Sequence, residues 1–152
     1  MTSPAPASSL ELLTFRVADQ EYALDIMSVR EIRGWTNATP LPHAPDYMKG
    51  VINLRGTVLP VMDLCARLGL PSPDQTERNV IIVVKMEDHM TGLLVEAVSD
   101  IVALSPDDLQ PPPELTGSAA DGVVSALTLI DERMIRILDL HATISKLESA
   151  AA

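Results

Sequence analysis

Aromatic residues are nearly missing from this chain of 152 residues: one Trp, one Phe and two Tyr make up 3% of it. Any core must therefore be aliphatic, and the material is ample, with 47% apolar residues against 21% charged. That balance belongs to a folded globular chain, and the length suits one domain. Cysteine is as scarce. Cys65 stands alone, which excludes an intrachain disulfide and points to a reducing compartment. With His43, His89 and His141 scattered, none of the short ligand spacings of a zinc site arises. Neither a Gly-rich phosphate loop nor a G-x-S-x-G elbow occurs, and no pair of acids reads as buried, so neither an enzyme nor a cofactor is expected. Basic charge is sparse. Eleven Lys and Arg face 21 Asp and Glu, a net charge of −10, which argues against nucleic acid or an anionic membrane surface as partner. Long apolar runs are missing too: the longest of strand type, Val80 to Val84, falls far short of the ~20 residues of a membrane helix. The opening MTSPAPASS has neither the basic start nor the apolar stretch of a secretory signal. A cytoplasmic protein that is not membrane-inserted is the expectation.

What is there is organised around GVINLRGTVLPVMDL, from Gly50 to Leu64. Two β-rich runs flank the polar island Asn53-Leu54-Arg55-Gly56, which reads as a hairpin with Gly56 supplying the positive φ of its turn. Pro60 cannot donate a ladder hydrogen bond, so the second strand should lie at an edge or carry a bulge. Arg55 is the oddity, a long cation where hairpin tips usually carry small polar residues.

Residues 1–9 read as a mobile tail. Leu13, Phe15 and Val17 alternate with Thr14, Arg16 and Ala18, the pattern of a strand with one buried face. Asp19-Gln20 turns the chain into a return strand, Tyr22 to Ile26, and Met27 to Ile32 leads into a third. A proline-rich connection reaches Tyr47. Beyond the hairpin, Asp63 is a candidate N-cap for a short helix with Leu64 and Leu68 on one face, stopped by Gly69 and Pro71. A second copy then begins. A displacement of 69 residues sets Leu13 on Ile82, Phe15 on Val84, Asp19 on Asp88, Val29 on Val98, Glu31 on Asp100 and Ile32 on Ile101. At a displacement of 76, Val61-Met62-Asp63-Leu64 falls on Ile137-Leu138-Asp139-Leu140. Coincidence among aliphatic strands is the alternative; the shared turns and endings favour two similar β-units. Pro111-Pro112-Pro113 marks an extended loop, two strands follow (Val123 to Ile130 and Met134 to Leu138), and Leu140, Ile144 and Leu147 share a helical face after Asp139. Each half thus offers about five strands, enough for a small barrel.

Pro42, Pro45, Tyr47, Gly50, Asn53, Leu54, Arg55, Gly56, Pro60, Val61, Asp63 and Leu64 resemble the proline-spaced approach and G-x-x-NLRG-x-x-x-P-V-x-D-L run of the CheW-like chemotaxis coupling proteins. The likeness extends over roughly residues 10 to 147. It implies an all-β fold with minor α: two packed five-stranded SH3-like barrels, subdomains at about 10–70 and 78–140, and a helix at about 140–148. It also implies a non-catalytic adaptor that couples the cytoplasmic tips of chemoreceptors to the regulatory domain of the chemotaxis histidine kinase, recruited to receptor arrays at the membrane. From the residues alone, Val29 and Glu31 would share a strand face opposite Ile32, with Val29 in the core and Glu31 solvated. The resemblance instead places Val29, Glu31, Ile32 and Arg55 on the receptor-binding surface, with Gly50, Asn53 and Leu54 shaping it. Glu31 and Arg55 are expected to form a bidentate pair. Trp35 could be core or partly exposed; Trp35, Thr36 and Leu41 are candidates for the kinase side. A regulatory-domain module of the kinase, or a small-molecule sensor using a cleft between barrels, are the alternatives.

Overall fold

The computed structural model describes residues 10–70, 79–111 and 123–144. The linker at 71–78, Pro112, Pro113, Leu147 and the tail at 1–9 lie outside them. The ten strands are β1 (Leu10–Val17), β2 (Gln20–Asp25), β3 (Val29–Gly34), β4 (Met48–Leu54), β5 (Thr57–Asp63), β6 (Val80–Met86), β7 (His89–Val95), β8 (Ala97–Leu104), β9 (Val124–Ile130) and β10 (Arg133–Leu138). Asp63 caps the helix α1 (Leu64–Arg67), its side chain accepting from the Cys65 and Ala66 amides. Asp139 repeats the device: its carboxylate accepts from Ala142 N at 3.1 Å where a helix starts at 140. Both caps stand where the sequence places them, because each satisfies helix-end amides that have no intrahelical partner.

The strands form two five-stranded sheets, β8-β1-β2-β10-β9 and β3-β6-β7-β5-β4. The fold class is the expected one, but the division of the chain is not. Neither sheet is built from one half alone. The leading hairpins β1–β2 and β6–β7 are exchanged, each seated in the sheet completed by strands of the other half. The seams are two short parallel pairings, β10 with β2 and β5 with β7. Local alternation cannot report such an exchange, since a hairpin reads the same whichever sheet receives it. In each sheet the chain after the third strand hooks onto the fourth: Thr39 bridges Val51, and Gln110 bridges Leu127, 76 residues beyond Val51. These bridges cover edges that would otherwise present unpaired backbone.

The exchange explains the burial. Phe15, Leu13, Tyr22 and Leu24 from β1 and β2 share one core with Ile82, Val84, Leu93 and Val95 from β6 and β7. Each sheet also has a smaller core of its own, one around Ile52, Leu59, Ile81 and Val83, the other around Leu12, Ala23 and Ile135. Strands between two cores bury both faces. Leu12 and Thr14 are therefore buried beside Leu13 and Phe15, correcting the expectation of one buried face on β1. Pro60 is also resolved: β5 is an interior strand, but it pairs with β7 only over Val61–Asp63, beyond the proline. The irregularity falls across the pair, between Met48 and Gly50 on β4.

Arg67 ties the helices together. Its buried guanidinium donates to the carbonyls of Thr143 and Ala142 and lies 5.8 Å from the Tyr47 ring centre. A cation here joins the end of the first half to the end of the second through carbonyls and an aromatic face.

Candidate functional site

The hairpin tip is built as the sequence indicates. Leu54 pairs with Thr57 around a two-residue turn, Arg55 at φ 50° and Gly56 at φ 87°. Positive φ at both central positions matches the turn to the twist of its strands, and an arginine in the first is unusual. Asn53 Oδ1 accepts from Gly56 N at 2.9 Å, bracing the turn from the side. Gly50, at φ 142°, sits where the Thr39 strap crosses β4, and a Cβ there would lie 2.1 Å from Thr39 O. It is the close approach expected of that glycine.

Glu31 comes to the tip from the opposite edge of the same sheet. β3 is irregular between Val29 and Glu31: Val29 stands opposite Val84 and Glu31 opposite Val83, leaving Arg30 extra. Val29 therefore packs on the core between the sheets, and Glu31 lies on the face of Val83, which belongs to the second sheet's own core. The two do not share a face as strict alternation would have it, because a bulge reverses the side on which the next residues project. Arg33, two residues on, shares the face of Glu31.

Glu31 Oε1 meets Arg55 Nη2 at 2.5 Å, and its Oε2 lies 3.4 Å from Arg33 Nη1. The expected bidentate pair is thus a shared carboxylate, one oxygen to each arginine. The hydrogen bond from Arg55 is the largest influence holding the Glu31 carboxyl below the usual carboxylate range, partly opposed by its own desolvation; Glu31 in turn raises Arg55. The bridge spans the two edge strands, β3 and β4, at the rim of the second sheet. Arg55 keeps 71% of its side chain exposed while Glu31 keeps 28%.

Of the other candidates, Asn53 and Ile32 are exposed, while Leu54 is buried and anchors the tip from inside. Trp35 is half-buried and packs on the second sheet's core, whereas Thr36 and Leu41 are exposed. The sequence reading missed Arg33, although its place two residues from Glu31 on an alternating strand was a signal. It also missed Val58, exposed opposite Asn53 on the hairpin's outer face.

The first sheet carries a counterpart. Asp100, 69 residues beyond Glu31, lies 3.5 Å from Arg133, which follows the Asp131-Glu132 turn of β9–β10. Arg133 Nε donates to Glu21 Oε1 at 2.9 Å and its Nη2 to Oε2. The fork expected at Arg55 is found here. Hydrogen bonding from Arg133 lowers Glu21, and bonding from Thr14, with help from Arg133, lowers Asp100. Carboxyls lowered on folding stabilise the fold above their ordinary values, near 4, and lose that contribution as pH falls through the lowered ones. Arg133→Gln should accordingly reduce Tm at neutral pH by a few degrees, with the gap closing as the pH falls through the lowered values of these carboxyls in calorimetric scans. A gap independent of pH would contradict the assignment.

Among the described residues no group of three or more His, Cys, Asp or Glu is placed to hold a metal. No helix there is long and apolar enough to cross a membrane. The fold and site define a class of duplicated, strand-exchanged β-proteins with an arginine–carboxylate cluster on each sheet. The CheW-like domain model matches residues 11–148. The chain is 51% identical to a probable chemotaxis protein CheW of Rhizobium etli, covering 93% of this chain and 92% of that one. It is 49% identical, over the same shares, to chemotaxis protein CheW of Rhizobium meliloti. The crystal structure of scaffolding protein TtCheW from Thermoanaerobacter tengcongensis superposes with a TM-score of 0.83 at 30% identity, over 95% of this chain and 93% of that one. The chain belongs to the CheW family.

Proposed function

We propose that this protein couples the cytoplasmic tips of chemoreceptors to the regulatory domain of the chemotaxis histidine kinase, with the Glu31–Arg55 rim as its receptor-docking face. It is a non-catalytic adaptor of chemotaxis signalling, and its work is to hold partners in place without any cofactor. The single observation that carries the receptor face is Arg55, which stands largely in solvent at a hairpin tip yet is aimed by Glu31. Among the described residues the other two-residue tips, Ala18-Asp19, Glu87-Asp88 and Asp131-Glu132, carry no cation. On a chain of net charge −10, this tip is a local positive feature that steers an acidic or hydrogen-bonding partner. Ile32 on β3 and Val58 on β5, just past the hairpin tip, add exposed apolar surface. Thr36 and Leu41, which are exposed, and Trp35, which packs on the second sheet's core, are proposed for the kinase. Through both contacts the adaptor is drawn from the cytoplasm to receptor arrays, where many moderate contacts act together.

Calorimetric titration with a soluble receptor cytoplasmic fragment, and separately with the kinase regulatory domain, tests this reading. Binding to both at once is the expected result. Binding to neither, with saturable uptake of a metabolite instead, would overturn it.

A further inference from the structure

Arg33 is the one place among the described residues where a buried side-chain nitrogen, its Nε, has no hydrogen-bond partner. Such a donor is costly to leave unpaired, and its presence beside a charged cluster calls for a reason. Its neighbour Glu31 meets Arg33 through one oxygen, at 3.4 Å, while the other oxygen meets Arg55 at 2.5 Å. The arginines differ in setting: Arg55 has 71% of its side chain in solvent, Arg33 has 37% and is anchored on β3.

We infer that Arg33 is a positioning residue that makes Arg55 exchangeable, taking over the whole Glu31 carboxylate when Arg55 turns to a docked partner. Turning the Arg33 guanidinium brings Nε and Nη2 onto the two carboxylate oxygens as a fork, which satisfies the donor left unpaired in the free protein. That fork takes Oε1, which now faces Arg55 Nη2 at 2.5 Å, so the fork and the Arg55 contact compete, and release of Arg55 favours the fork. Without Arg33, releasing Arg55 would strand a partly desolvated carboxylate with no cation beside it. At Arg133 the fork to Glu21 is already made, with both carboxylate oxygens engaged. The inference rests on the reading that Arg55 meets the receptor.

Arg33→Lys keeps the charge but cannot offer the fork. Titrated with a soluble receptor cytoplasmic fragment, it should bind about tenfold more weakly than the parent, the worth of one charge-assisted hydrogen bond. In a Glu31→Gln background, where Arg55 has no anion to leave, the same substitution should change affinity less than about twofold. The Arg33 Nε–H resonance should also move downfield and exchange more slowly when the fragment is bound to the parent protein. Equal effects of Arg33→Lys in both backgrounds, or no effect in either while Arg55→Ala still weakens binding, would overturn the inference. Should Arg55→Ala bind as well as the parent, the receptor-face reading itself fails, and this inference with it.

Discussion

Gly50→Ala should destabilise the protein by roughly 3 kcal/mol or more, a large part of the stability of a domain this size. Two costs act together. The backbone at Gly50 has φ 142°, a region in which residues with a Cβ are strained by ~1–3 kcal/mol. The added carbon would also meet Thr39 O at 2.1 Å and Thr39 C at 2.5 Å, and these are main-chain atoms that cannot rotate away. The strap can relieve the overlap only by giving up its bonds to Val51, at 2.8 and 2.9 Å. That uncovers the β4 edge and loosens the segment carrying Thr36 and Leu41. Urea unfolding measures the loss, and hydrogen exchange should show the amides of Thr39 and Val51 newly unprotected. A loss under about 1 kcal/mol with those amides still protected would contradict the packing described.

Phe15→Ala should cost about 3–5 kcal/mol, the usual result of truncating a fully buried aromatic residue. Phe15 is completely buried and stacks against Tyr22 with ring centres 6.3 Å apart. The consequence specific to this topology concerns cooperativity. Phe15 lies in the core to which both sheets contribute, and the exchanged hairpins leave neither sheet complete without the other half. Weakening that core should lower the stability of both sheets together. Protection at β9–β10 in the first sheet and β4–β5 in the second should fall by the same amount, and unfolding should stay a single transition. Two separated transitions would show that each sheet stands by itself.

How far these features were legible in the sequence depended on how local their causes are. The hairpin around Arg55, the Asn53 brace and both aspartate caps follow from residues within a few positions of one another. The repeat was legible because it is aliphatic spacing plus turns. The exchange of hairpins was not, since what selects the partner strand is the three-residue parallel pairing of β2 with β10 and of β5 with β7, far apart along the chain. The bulge at Arg30 hid in the same way. Strict alternation put Val29 and Glu31 together, and one extra residue sent Val29 to the core between the sheets and left Glu31 at the rim. Arg33 is not legible from a one-to-one pairing of Glu31 with Arg55, because a carboxylate has two oxygens to share.

The most direct test of the account is a titration of Arg55→Glu with a soluble receptor cytoplasmic fragment, beside the parent protein and the Glu31→Arg, Arg55→Glu double reversal. Arg55 is exposed, so the fold should survive, with Tm changed by no more than a few degrees. The single reversal sets two carboxylates against each other at the rim and should weaken receptor binding about a hundredfold, while the double reversal restores the bridge and at least part of that loss. Kinase-domain binding should not change. A folded Arg55→Glu protein that binds the receptor fragment as tightly as the parent would contradict the claim that this rim is the docking face.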